Sequence, residues 1–222
     1  MGSSESLSSR LRRDADAIWS KIFEHPFVVE LYEGSLPLEK FKFYAAQDYN
    51  YLVGMMRAFS LLASRADYEV ARTALEIAHA DATVEMKNYE LLLRELGMRL
   101  EDVIAMEPAP TNVAYMSYLV STCALGEPLE CLVATLPCFW SYAEIAERHA
   151  DKLERNPIEL YVKWAKVYLS ADYRSLVERL RSLVDAAWEG RGYDRLLRHF
   201  LRGSRFEYMF WDMAYRGESW PL

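Results

Sequence analysis

Apolar residues recur every three or four positions along most of the chain, the period of an α-helix with one buried face. From Ser8 to Glu24 the stripe is Leu11, Ala15, Ile18, Trp19 and Ile22, and His25-Pro26 ends it. Pro37 opens a longer stretch, Leu38 to Arg65, in which Phe41, Tyr44, Ala45, Asp48, Leu52, Met55 and Phe59 keep the same period. The pattern continues from Tyr68 to Leu96, where Gly97 stops it, and Thr111-Asn112 offers capping side chains for a helix through Leu125. Pro128, tolerated in a first turn, opens Leu129 to His149, and Asn156-Pro157 with Glu159 starts a helix to Ser170. Asp172 caps another to Trp188, and a last run covers Tyr193 to Tyr215. No run alternates with the period of a strand, so the reading is all-α, with about seven to nine helices in one domain over residues 1–222.

Composition narrows the function. Apolar residues make up 52% of the 222, and 9 Gly with 8 Pro is low for a turn-rich fold, so a sizeable helical core is expected. With 26 basic against 33 acidic residues the chain carries −7, and no basic block exists to follow a phosphate backbone; nucleic acid is not an expected partner. The longest apolar run, around Cys131 to Trp140, is too short to span a bilayer, and the N-terminus lacks a signal-peptide core, so a cytoplasmic protein is expected. MGSSES fits an acylation pattern, but no basic patch follows as a second membrane signal, and it reads as a chance match. Three cysteines, Cys123, Cys131 and Cys138, are an odd count without C-x-x-C, for which reduced thiols are expected.

Cofactor signatures are lacking: no dinucleotide turn, no P-loop, and a single E-x-x-H at Glu76 and His79 where a di-iron bundle needs two. The unusual content is polar and aromatic pairs inside apolar helical runs. Asp48 and Tyr51 are three apart, Cys138 and Tyr142 four apart, Glu207 and Phe210 three apart, and Tyr115 and Tyr118 form a further pair. Each has a plain reading as well: a buried thiol as a small hydrophobe, a tyrosine as core, Asp48 or Glu207 paired with Arg57 or Arg205. Around one cavity they would make an aromatic slot with a thiol, two carboxylates and several phenols.

At these residues the chain resembles the thiaminase II family, also called TenA, whose fold is that of the haem oxygenase-like helical bundles. The likeness runs through HPFVVELYEGSLPLEKFKFYAAQDYNYL, LPCFWSYAEIA, YVKWAKVYLS and RFEYMFWDMAY. It implies that Asp48 binds the amino group and ring nitrogen of an aminopyrimidine, that Tyr51, Tyr115 and Phe210 wall the ring, and that Cys138 is the nucleophile. Glu207 then moves the proton, with Tyr142 and Tyr168 as the phenols at the thiol. Tyr161, seven residues before Tyr168 on nearly the same face, competes for that last place, and Tyr118 shadows Tyr115. The resemblance further implies hydrolysis of thiamin or aminomethylpyrimidine to hydroxymethylpyrimidine in thiamin salvage, no cofactor and no metal, and a homotetramer. Trp211, Tyr215 and Trp220 are the aromatics available for an interface. Two other readings stand beside it: a non-catalytic pyrimidine-binding or regulatory protein, and a haem-binding oxygenase with His25 as axial ligand.

Overall fold

In a computed structural model, which describes residues 5–221, the chain is helical with no strand among those residues. Thirteen α-helices and one π-helical turn among the described residues are more elements than the periodicity separates, because two of the apolar stripes are divided and short helices occupy the gaps between others. Gly2 of the acylation pattern lies outside the described residues. No helix among them is long and apolar enough to cross a membrane. The contacts divide the chain into two compact units: one holds Met1–Ser35 with Leu132–Met209, the other Leu36–Cys131 with Phe210–Leu222.

The first unit begins with α1 (Leu7–Asp14) and α2 (Asp16–Phe23), separated at Ala15 where one helix is predicted. Asp14 and Asp16 flank the break, and both are poor helix-interior residues that hydrogen-bond locally. α1 is held at its start by Ser8, whose N–H and hydroxyl donate to Asp185 at 2.6 and 2.9 Å. His25 then caps α3 (Pro26–Glu33) by accepting from the Phe27 N–H at 3.1 Å, so the break read at His25-Pro26 is itself a helix start. Trp19 forms the centre of this unit, stacked on Phe200 at 5.9 Å and edge-on to Trp140, with its indole N–H donating to Ser204.

The second unit is built on α4 (Leu38–Ala63), followed by α5 (Tyr68–Ala80), the π-turn Asp81–Glu85 and α6 (Met86–Glu95). The sequence reads these last three as one helix, and the π-turn keeps the chain continuous while shifting its register. Next come α7 (Leu100–Ala105) and α8 (Pro110–Leu125). α8 lies along α4 so closely that a Cβ on Gly54 would sit 2.3 Å from the Met116 sulfur. Thr111 and Asn112 do not cap α8: Ala109 precedes it and Pro110 opens it. They tie it down instead, Thr111 donating to Glu218 and Asn112 to the backbone and side chain of Gln47.

α9 (Pro128–Arg148) and the last helix carry residues of both units. α10 (Ala150–Leu153), α11 (Glu159–Val167) and α12 (Ala171–Ala187) complete the first unit, and α13 (Tyr193–Arg216) ends the helical part of the chain. Ser170, not Asp172, caps α12, accepting from the Tyr173 N–H. The cysteine expectation is corrected here. Cys123 and Cys131 form a disulfide, because the short turn at Gly126 brings the end of α8 and the start of α9 to a Cα separation of 4.6 Å. Sequence spacing could not show this, since an eight-residue separation becomes bonding distance only once the turn direction is known.

Candidate active site

In the first unit the site residues come from α9, α11 and α13. Cys138 is buried and is the one cysteine outside the disulfide. It follows Pro137, the one proline inside α9, which cannot donate to the carbonyl four residues back. Opposite this point α13 carries Gly203, where a Cβ would lie 2.6 Å from the Ala134 carbonyl oxygen and 3.1 Å from the Pro137 ring. The glycine therefore lets the two helices touch beside Cys138, and Glu207, one turn further along α13, is 2% exposed. Sequence reading missed both Pro137 and Gly203; a glycine among the large side chains of α13 was the available signal.

Tyr142, one turn after Cys138, lies 4.8 Å ring to ring from Tyr168, just past the end of α11. Trp164 packs on both, and Tyr173 sits edge-on to Tyr168 while its hydroxyl donates to the Phe139 carbonyl at 3.0 Å. Tyr161 is fully buried, which raises its phenol pKa by desolvation. His25, the axial-ligand candidate, is buried against Tyr208 with Nδ1 occupied as a helix cap.

In the second unit Tyr51 brings the aromatic walls together, 5.7 Å from Tyr115 and 5.5 Å from Phe210. Phe210 is held edge-on to Tyr44, on which Trp211 stacks at 5.4 Å; Trp211 is core rather than surface. Tyr215 lies under Lys40 Nζ, and the Trp220 indole N–H donates to the Pro108 carbonyl.

Asp48, one turn before Tyr51 on α4, is half-buried. Burial, then the charges of Glu85 and Asp81, push its carboxyl up to about 7. The charges that shift it are acidic and come from the π-turn. Asp81 is itself pushed up to about 7 by burial and by Glu85, whose own carboxyl is raised by desolvation. Only the packing of the π-turn on α4 reveals this cluster, because its acids lie more than thirty residues from Asp48. Glu76 of the lone E-x-x-H is within 3.8 Å of Arg72, and no metal-binding group of three His, Cys, Asp or Glu occurs among the described residues.

Helical throughout the described residues, the chain is of the haem oxygenase-like fold class. A domain of that fold from Shewanella denitrificans OS217, of unknown function, matches 94% of the chain and 91% of its own with a TM-score of 0.74 at 16% identity, a likeness of fold alone. The model of the TENA/THI-4/PQQC family matches residues 12–217, and the chain belongs to that family. The aminopyrimidine aminohydrolase of Halalkalibacterium halodurans is 34% identical over 219 residues, covering 97% of this chain and 98% of that protein. Its counterpart in Bacillus subtilis is 33% identical over 221 residues, 96% and 92% of the two chains. A TenA homologue from P. horikoshii OT3 superposes with a TM-score of 0.94 at 54% identity, over 96% of this chain and all of that one.

Proposed function

We propose that the chain is an aminopyrimidine aminohydrolase of the thiaminase II kind, acting on degraded or intact thiamin and releasing hydroxymethylpyrimidine. Similarity over nearly the full length to curated aminopyrimidine aminohydrolases supports the reaction class. The single structural observation that carries the reading is the buried thiol of Cys138 one turn from Tyr142, itself packed on Tyr168, with the other two cysteines bonded to each other.

Asp48 holds the amino edge of the ring, and Tyr51, Tyr115 and Phe210 supply its walls. The Cys138 thiolate adds to a ring carbon as Glu207 gives a proton to a ring nitrogen. The ring then pushes out the amine or thiazolium with the electron pair of its C–N bond. Water adds to the exposed methylene carbon and loses its proton, and the carbon–sulfur bond breaks to return the thiolate as the ring nitrogen gives its proton back to Glu207. Dividing the displacement in this way replaces one difficult step by two easier ones. A protonated ring is the better electrophile, which is what a positioned carboxylic acid provides.

No cofactor takes part in this scheme. The enzyme acts in the cytoplasm as a homotetramer, with a small pyrimidine as its partner molecule. The test is product analysis with thiamin and aminomethylpyrimidine side by side. Hydroxymethylpyrimidine from either supports the reading, and binding of the pyrimidine without product would replace it with a non-catalytic carrier.

A further inference from the structure

Where α4 meets α8 in the second unit, three side-chain amides are joined: Gln47 and Asn50 of α4 and Asn112 of α8. Gln47 and Asn112 are buried, where an amide left unpaired is costly. A backbone group sets the direction of the whole relay. The Ala109 N–H can only donate, so the Gln47 atom 2.9 Å from it is the side-chain oxygen, Oε1. Asn112 therefore turns its Nδ2 to that oxygen at 2.9 Å, and to the Gln47 backbone carbonyl at 2.7 Å. Both its hydrogens are then used, and its Oδ1 accepts from Asn50 Nδ2 at 3.0 Å. No member can flip without setting donor against donor or acceptor against acceptor.

The relay is built around the two tyrosines of the aromatic wall. In an α-helix the carbonyl of residue 47 accepts the N–H of residue 51, so Asn112 grips the carbonyl on which the Tyr51 backbone hangs. Asn50 directly precedes Tyr51, and Asn112 lies one turn before Tyr115 on α8. Further along the same two helices Gly54 meets Met116, with no room for a Cβ between them. Tyr51 thus sits between Gln47 and Gly54, and Tyr115 between Asn112 and Met116. Their ring centroids are 5.7 Å apart at 53°, a pair in direct contact that forms a corner.

We propose that Asn112 is a positioning residue: through Gln47 and Asn50 it fixes the offset of α8 along α4, and with it the Tyr51–Tyr115 corner that receives the pyrimidine. This rests on the aminopyrimidine reading. Apolar packing is non-directional and lets one helix slide on another, whereas amides of fixed polarity pair at one offset only. A slip of one residue along α8 would carry Tyr115 about 1.5 Å past Tyr51 and open the corner.

Calorimetry with hydroxymethylpyrimidine tests the proposal on wild type, Asn112→Leu and Asn50→Ala, each checked for folding by circular dichroism. Leucine keeps the bulk of asparagine and has nothing to give Gln47 or take from Asn50. Asn112→Leu should bind about fivefold more weakly at the wild-type stoichiometry, the scale of one aromatic contact, while kcat at saturating aminomethylpyrimidine stays within about twofold. Asn50→Ala should weaken binding in the same direction by less. In a Tyr115→Leu background, Asn112→Leu should change affinity by less than about twofold, because residues acting through one group are not additive. Unchanged affinity in Asn112→Leu, equal weakening in both backgrounds, or a loss of stoichiometry and kcat together would overturn the role of Asn112. If Asn112→Leu does not fold, an unchanged affinity in Asn50→Ala overturns it. Absence of binding by wild type would instead overturn the aminopyrimidine reading and this proposal with it.

Discussion

Cys138 and Glu207 carry the chemistry in the proposed scheme, and each predicts a distinct failure. Cys138→Ser should fold, bind the pyrimidine and lose nearly all turnover, since a hydroxyl of much higher pKa is a poor substitute for a thiolate. Glu207→Gln should lower turnover by roughly 100-fold while binding survives, the usual scale for a lost general acid. Steady-state kinetics beside calorimetry separates the two properties, and full turnover in Cys138→Ser would end the covalent route. Asp81 makes a prediction about stability. Its folded-state pKa is raised, so the native state binds more protons than the unfolded one between about pH 4 and 7, and wild type loses stability as pH rises through that window. Asp81→Asn lacks this titration and should gain on wild type by about 2 kcal/mol between pH 5 and 8 in urea melts. A difference independent of pH would show that Asp81 is not buried as an acid.

At the level of elements, the contact at Gly203 governs how α9 and α13 meet. An added methyl would fall on the Ala134 carbonyl, which belongs to a helix and has no freedom to rotate away. Gly203→Ala should destabilise by about 1 to 3 kcal/mol, as overpacking does, and should lower turnover more than it lowers pyrimidine affinity. The Cys123–Cys131 bridge closes a short loop between α8 and α9, and removing it by a double serine substitution should cost about 2 to 3 kcal/mol by loop entropy. Turnover per folded molecule should persist, because the remaining thiol is Cys138. Much of this level was legible in the chain. The stripes from Leu38, Pro128 and Tyr193 are α4, α9 and α13 nearly to the residue, because a long amphipathic period has one way to bury itself. The break at Ala15, the π-turn and the disulfide were not, since each depends on what packs against the element rather than on its own pattern. The pairs on single helices were likewise readable as spacing, whereas the Tyr142–Tyr168 contact and the acids behind Asp48 join distant segments.

For the molecule as a whole, the proposed tetramer predicts a solution mass close to four chains by light scattering, and a mass of one chain would remove it. Trp211 cannot serve that interface, being packed on Tyr44, so Trp220 and the exposed Tyr68, Leu75 and Val84 remain as apolar surface for it. The division into two units has a further consequence, for synthesis. The unit begun at Leu36 has its α4–α8 pairing complete once Cys131 has emerged from the ribosome. The unit begun at the N-terminus must wait longer: Trp19 meets its stacking partner only when Phe200 appears. Until then the apolar faces of the first three helices, with Trp19, Phe27 and Leu31 bare, are what a nascent-chain chaperone would hold.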